Sequence, residues 1–367
     1  MIFIFYDLFN EKKYLKHTPL YLNVKKVKVA VVGGYGTIGK RVADAVRLQP
    51  DMELIGIAGP GFDWRTALMA KKGIQIYLSQ NPRIEEFKKH NFEPAGTFEE
   101  LLQKVDIVVD ASTEGWGAKN KPYYEKYNVK AVFQGGEEHA LTNASFVAAR
   151  NYSENFGRQF TRVVSCNTTA ICRVIGAIHE RIGVKRARVA IFRRAADPWE
   201  SHKKGIINTV VPELEVPSHH GPDAQTVIKD LDIITIAAKG SHNLYHFHTA
   251  FVELKEMVDK ETVVRAFEEE PRVVFVSGAD KVEALNTIFE IGRELGRSRG
   301  DVYEIPIWLE SIALVQNDLT LMWATPEESN VIPENIDAIR ALTGIEVEPR
   351  RSIELTDKSL NIVKRFY

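Results

Sequence analysis

The stretch Val27-Lys28-Val29-Ala30-Val31-Val32-Gly33-Gly34-Tyr35-Gly36-Thr37-Ile38-Gly39 decides the fold. Its first six residues are mostly apolar and β-branched, the pattern of a buried parallel strand. They run into glycines 34, 36 and 39, after which Lys40 to Leu48 carries Val42 and Val46 on one helical face. Between a strand and a helix, Gly-x-Gly-x-x-Gly reads as a dinucleotide-binding turn. Its glycines let the backbone approach a pyrophosphate held at the helix N-terminus.

Outward from this turn, Met52–Ala58, Val105–Val109 and Val129–Phe133 read as further buried strands. Helical stretches at Phe98–Lys104 and Pro122–Tyr127 alternate with them. The alternation predicts a Rossmann-type, doubly wound parallel α/β sheet. Its strands end in Asp110-Ala111-Ser112 and Gln134-Gly135-Gly136, small residues suited to lining a cofactor crevice. The second strand ends in Ala58-Gly59-Pro60 without an acid to hold a ribose diol, and the first base beyond it is Arg65. NAD and NADP both stay open.

The second decisive segment is Val163-Val164-Ser165-Cys166-Asn167-Thr168-Thr169. Arg162-Val163-Val164 favours a strand, and Thr168 to Arg181 places Ile171, Val174, Ile175 and Ile178 at helical spacing. A thiol in the first turn of that helix meets free N–H groups and the positive dipole end, so Cys166 is expected to be an activated nucleophile. Six of the ten histidines fall between 202 and 248. Pro217–Asp223 reads as a Pro/Gly-bounded loop, and alternation puts His246 and His248 on one strand face. No carboxylate or cysteine pattern completes a metal site. Arg193-Arg194 ends a strand over Ala187–Phe192 and suits an anion, or a neighbouring acid.

Leu231–Ala238, His246–Leu254, Arg272–Ser277 and Ile307–Ala324 read as strands, with helices at Lys260–Glu269 and Lys281–Leu295. They predict an α+β catalytic domain on a mostly antiparallel sheet. The expected divisions are an N-terminal extension at 1–26, a nucleotide domain at 27–165 and a catalytic domain at 166–330. A helical region at 331–367, including Pro333–Leu342, is expected to pack back on the nucleotide domain. With 367 residues, 44% of them hydrophobic, and a net charge of -1, the chain shows no sign of a nucleic-acid or membrane partner. No run approaches the ~18 apolar residues of a spanning helix. Two cysteines, six apart, suit separate thiols in a cytoplasmic protein.

Taken together these residues resemble the archaeal type of phosphorylating glyceraldehyde-3-phosphate dehydrogenase. The resemblance rests on Gly34 to Ala45, Gln134 to Glu137, Arg162 to Thr169, Arg193 to Asp197, Pro217 to Asp223 and Val331 to Arg340. It implies a homotetramer that oxidises glyceraldehyde 3-phosphate with NAD or NADP through a thiohemiacetal and a thioester on Cys166, the thioester then cleaved by inorganic phosphate. It implies His246 as the catalytic histidine, with Ser165, Asn167, His220 and Gly221 at the substrate. It places Gly34, Gly36, Thr37, Ile38, Gly39, Gly136, Arg194 and Glu328 at the cofactor.

Some positions depart from the family. Gly33 replaces an asparagine, Gly59-Pro60 replaces a Lys-Thr pair, and Ser241–Tyr245 replaces Pro-Thr-Thr-Leu-Met. Pro326-Glu327-Glu328-Ser329 replaces His-Gln-Glu-Ser, which puts the charge of Glu328 at the cofactor-contacting glutamine. Loss of the lysine leans toward NAD. These departures motivate two alternatives: a related semialdehyde dehydrogenase, or a cofactor-binding regulatory paralogue without turnover.

Overall fold

The computed structural model describes residues 26–134 and 136–367. The expected N-terminal extension, apart from Lys26, and Gly135 of the Gln134-Gly135-Gly136 strand end lie outside them.

Seven parallel strands form the first sheet: β1 (Val27–Val32), β2 (Met52–Gly59), β3 (Ile76–Leu78), β4 (Ile107–Asp110), β5 (Lys130–Phe133), β6 (Ser145–Phe146) and β7 (Phe160–Val163). Their order is β3-β2-β1-β4-β5-β7-β6. This is the doubly wound arrangement expected from the strand–helix alternation. The order reverses at β1, where β2 and β4 flank it, so the glycine turn after β1 opens into a crevice. Inner residues Val29, Ala30 and Val31 are fully buried on both faces, which is why the strand reads as a continuous apolar run.

The second sheet contains β8 (Val184–Arg193), β9 (Val211–Pro212), β10 (Ile233–Lys239), β11 (His246–Leu254), β12 (Val273–Val276), β13 (Ile305–Trp308), β14 (Ala313–Val315) and β15 (Asp318–Thr325). It runs β12-β13-β15-β11-β8-β10-β9, with β14 paired to β15. Most pairings are antiparallel; β8–β10 and β12–β13 are parallel. The expected single strand over Ile307–Ala324 is instead three strands, with a 3-10 turn at Leu309–Ser311 and a reversal near Gln316, whose φ is +58°. Apolar alternation continues through the hairpin and conceals the turn from a periodicity reading. Pro217–Asp223 is also not wholly a loop, because His220–Gln225 is helical.

Against the second sheet packs the helix Cys166–Arg181, whose residues Asn167 to Ile178 are all buried. Its apolar positions join Val189, Ile191, Ala250 and Val252 in one core. The helix Ile332–Thr343 packs back on β4, β5 and β7, started by Pro333 and stopped by Gly344 at φ +71°. A buried ion network rivets the two halves. Glu334 accepts from Arg173 at 2.5 Å and from Arg272 at 3.1 Å, and Arg272 also reaches Asp337 at 2.6 Å.

Candidate active site

Both sheets turn strand ends toward one cavity of about 1130 Å³. The Rossmann sheet supplies Thr37 and Ile38 after β1, Gly136 after β5, and Val163, Ser165 and Cys166 at and after the end of β7. The second sheet supplies Arg193 and Arg194 from the end of β8, Lys239 from the end of β10, His246 from the start of β11, and Glu327 just past β15. Strand direction explains this convergence. Parallel β8 and β10 end together at Arg193 and Lys239, and antiparallel β11 begins where β8 ends. In turn β15 ends opposite the start of β11, with Thr325 facing His246.

Cys166 is the first residue of its helix. Ser165 caps that helix by accepting from the Thr168 N–H at 3.3 Å. Asn330 Nδ2 donates to the Cys166 carbonyl at 2.8 Å and holds the turn from the far side. Burial and the nearby Glu327 push the Cys166 thiol up to about 11, against the lowering effect of Arg194, Arg193 and the Asn167 N–H. Cys172, six residues on, is also free and fully buried.

His246 is buried, and Arg194 donates its backbone N–H to Nδ1 at 2.9 Å. Burial, then the nearby Arg194, holds its pKa well below the usual imidazole value, which favours the neutral ring. Glu327 accepts from Arg194 Nη1 at 2.8 Å, while its other oxygen is buried with no partner. Burial pushes this carboxyl up to about 8. Glu328 does not line the cavity; it pairs with Arg41 at 2.5 Å and Arg194 at 3.2 Å. The acid that faces Cys166 and His246 is its neighbour, Glu327.

The substrate-side candidates divide in two. Ser165 lines the cavity, whereas Asn167, His220 and Gly221 lie behind its wall. Asn167 Nδ2 donates to His220 Nε2 at 3.1 Å, which leaves His220 Nδ1 to donate to Ser218 Oγ at 3.1 Å. Burial drives that imidazole down to about 2. Gly221 donates its N–H to Thr235 at 2.9 Å. The side chains that do reach the cavity here are His219 and Asp223. Glu213, His219 and His220 come close enough to suggest a metal. Glu213 is already paired with Arg193, though, and both His220 nitrogens are engaged.

On the cofactor side, Thr37 donates to Asp197 at 2.8 Å across the cleft, and Arg194 pairs with the same Asp197. Gly34 and Gly39 act by leaving space. A Cβ at Gly34 would sit 2.4 Å from Ile57 Cβ, and one at Gly39 would sit 2.2 Å from the Gly33 oxygen. Gly36 lines a second cavity at the outer end of the crevice. No acid stands in the first turn of the helix Gly39–Arg47, so its N-terminus suits a pyrophosphate.

Comparison with known proteins gives the same reading. Residues 165–295 match the family described as glyceraldehyde 3-phosphate dehydrogenase, C-terminal domain. A glyceraldehyde-3-phosphate dehydrogenase of Methanococcoides burtonii is 48% identical over 338 residues, 92% of this chain and 99% of that protein. Its counterpart in Methanothermus fervidus is 42% identical, covering 92% of this chain and 100% of its own length. The chain belongs to the glyceraldehyde-3-phosphate dehydrogenase family. A Vibrio cholerae aspartate semialdehyde dehydrogenase II has the same fold, with TM-score 0.64 at 13% identity over 87% of this chain and 99% of that one.

Arg162, Lys239 and Glu327 also line the cavity and are not among the site residues expected from the sequence. Lys239 was detectable, because like Arg193 it is a charge ending an apolar strand, and the two are register partners. Arg162 was hidden inside a strand; it is buried and reaches Asp223 and the Glu137 carbonyl.

Proposed function

We propose that this chain catalyses the phosphorylating oxidation of glyceraldehyde 3-phosphate with a nicotinamide cofactor, NAD or NADP. The observation that carries this reading is the placing of Cys166, at a helix start, in one cavity with His246 and the glycine-turn residues Thr37 and Ile38. Cys166 Sγ bonds to the aldehyde carbon while the thiol proton passes to the carbonyl oxygen, giving a thiohemiacetal. His246, with its proton on Nε2, donates to that oxygen as charge develops. The glycine turn Gly34–Gly39 would hold a nicotinamide cofactor, which would supply the hydride acceptor. The thiohemiacetal hydroxyl would give its proton to water as the hydride leaves, so that the thioester remains. A phosphate oxygen then attacks the thioester carbon and the C–S bond breaks. The acyl phosphate departs, and the sulfur regains a proton. Arg193, Arg162, Lys239 and His219 offer donors for the phosphate groups.

Phosphate-dependent formation of reduced cofactor from glyceraldehyde 3-phosphate tests this. Its loss in Cys166→Ser is the expected result; turnover that persists there removes the proposal. The relatives give no support to a semialdehyde substrate.

A homotetramer in the cytoplasm completes the proposal. No helix of the described residues is long and apolar enough to cross a membrane. Assembly is supported by the outer face of the second sheet, where Phe192, Ile234, Ile236, Phe251 and Met322 are exposed on adjoining strands. Light scattering at micromolar concentration checks it.

A further inference from the structure

Glu327 stands between two cavities. On one side lies the active-site cavity with Cys166 and His246. On the other is a cavity of about 240 Å³, lined by Lys40, Leu244, Tyr245, Phe289, Arg299 and Asp301 among others. Among the described residues, Glu327 alone lines both. One of its oxygens accepts from Arg194 Nη1 at 2.8 Å; the other is buried in the partition with no partner. A carboxyl held by one oxygen and idle at the other is free to exchange a proton without breaking its anchor.

The groups around Glu327 leave that proton to it. Arg194 reaches it from the end of β8, Arg41 from the helix Gly39–Arg47, and Glu328 from the next position in the chain. Tyr245, just before β11, and Cys166, at its helix start, also feel its charge. Burial raises the Glu327 carboxyl most, Arg194 lowers it and Glu328 raises it, which leaves it at about 8. Both guanidiniums stay charged, and burial pushes the Tyr245 hydroxyl and the Cys166 thiol upward. Near neutrality Glu327 is therefore the member of this group that can change its state.

Aldehyde oxidation sets a proton free inside a cavity that also has to hold substrate and cofactor. As the thiohemiacetal O–H breaks, its electrons close the C=O bond and its proton goes to water. We infer that Glu327 is the carrier that moves this proton from active-site water to the second cavity. Water gives the proton to the idle carboxylate oxygen; that O–H then breaks toward water on the far side, and the carboxylate is restored. The same path run backwards supplies the proton that the sulfur regains when the thioester is cleaved. The inference rests on the dehydrogenase reading above.

The test is kcat and KM of the whole chain for phosphate-dependent cofactor reduction, followed against pH and in D2O at fixed, saturating phosphate. The parent is expected to show a kcat limb that rises to a plateau near pH 8. Glu327→Gln is expected to lose that limb and to lower kcat at least about tenfold, with KM within about twofold. Its solvent isotope effect is expected to rise, because proton loss becomes the slow step. Glu327→Asp, which keeps a carboxyl, is expected to recover part of kcat together with the limb. Leu244→Trp narrows the second cavity from a position that does not line the first, and is expected to raise the isotope effect in the same way. It carries the test if replacement of Glu327 unfolds the chain, and an unchanged isotope effect there overturns the carrier. So does a Glu327→Gln enzyme with the limb and isotope effect of the parent, whatever its kcat; the dehydrogenase reading then stands. A parent without phosphate-dependent turnover overturns both.

Discussion

Arg194 donates its main-chain N–H to Nδ1 of His246, and this bond decides which imidazole nitrogen carries the proton. Because His246 is held neutral by burial and the nearby guanidinium, its one proton sits on Nε2. The residue is a donor toward the reacting oxygen. His246→Ala is expected to lower kcat by about 10²–10³-fold, and His246→Asn, which keeps an N–H, to lose less. Its titration is also absent from the profile, so kcat shows no limb near pH 6.5. A His246-dependent limb there contradicts the assignment.

Glu327 faces the same cavity and opposes ionisation of Cys166. Its own proton is lost at about pH 8, so the opposition is felt above that pH and not below it. Alkylation of Cys166 by iodoacetamide is expected to be slow at pH 7 and to climb steeply toward pH 9 and beyond. Glu327→Gln is expected to match the parent below pH 8 and to run several-fold faster above it, by up to about tenfold per pKa unit removed. Identical profiles across the whole range contradict the pairing.

Three imidazoles are buried in the neutral form, His246 well below its usual value, His220 at about 2 and His248 at about 3. Their folded pKa values are lowered, so below about pH 6.5 the unfolded chain takes up protons that the native chain refuses, and stability falls with pH. Each contributes about 1.4 kcal/mol per pH unit. Glu327, with a raised folded value, works the other way between pH 8 and 4.5 and offsets one of the three. Urea midpoints between pH 7.5 and 5 are expected to drop accordingly, and His248→Gln to flatten the drop. A level profile in the parent rules the argument out.

Glu334 stands between Arg173 and Arg272 with all three side chains almost wholly buried. Those guanidiniums hold its carboxyl below the usual range, so its contribution is complete above about pH 4.5 and lost in stronger acid. Glu334→Ala leaves two buried cations short of a partner and is expected to cost about 3–5 kcal/mol in equilibrium unfolding at pH 7. Glu125→Ala, which removes only an exposed pair with Lys121, is expected to change stability by less than about 0.5 kcal/mol.

Local patterns revealed the elements that bury a run or a stripe. Val27–Val32 and His246–Leu254 have the boundaries expected from the residues alone, since each is bounded by a sharp change of pattern. The helix Pro349–Leu360 falls inside the helical region expected at 331–367, but its own bounds were not legible because Ile353 and Leu360 are its only buried apolar residues. Helices at Trp64–Lys71 and Ile84–Lys89 are short and weakly periodic, and a periodicity reading passes over them. The chemistry of the site depends on long-range facts. Whether Cys166 is a thiolate, and whether His246 is charged, follows from burial and from Glu327 and Arg194. Those residues lie 161 and 28 positions from Cys166, a proximity that no local motif encodes.

The hydrogen bond from Asn330 to the Cys166 carbonyl ties together the two places where the chain passes between the sheets. The first passage leaves β7 at Val163 and delivers the nucleophile; the second leaves β15 at Thr325 and enters the helix Ile332–Thr343. A molecule stitched twice at one point has no free hinge there. Any rotation of one sheet against the other has to drag the sulfur with it, so the angle between the two halves and the aim of the nucleophile are a single mechanical quantity.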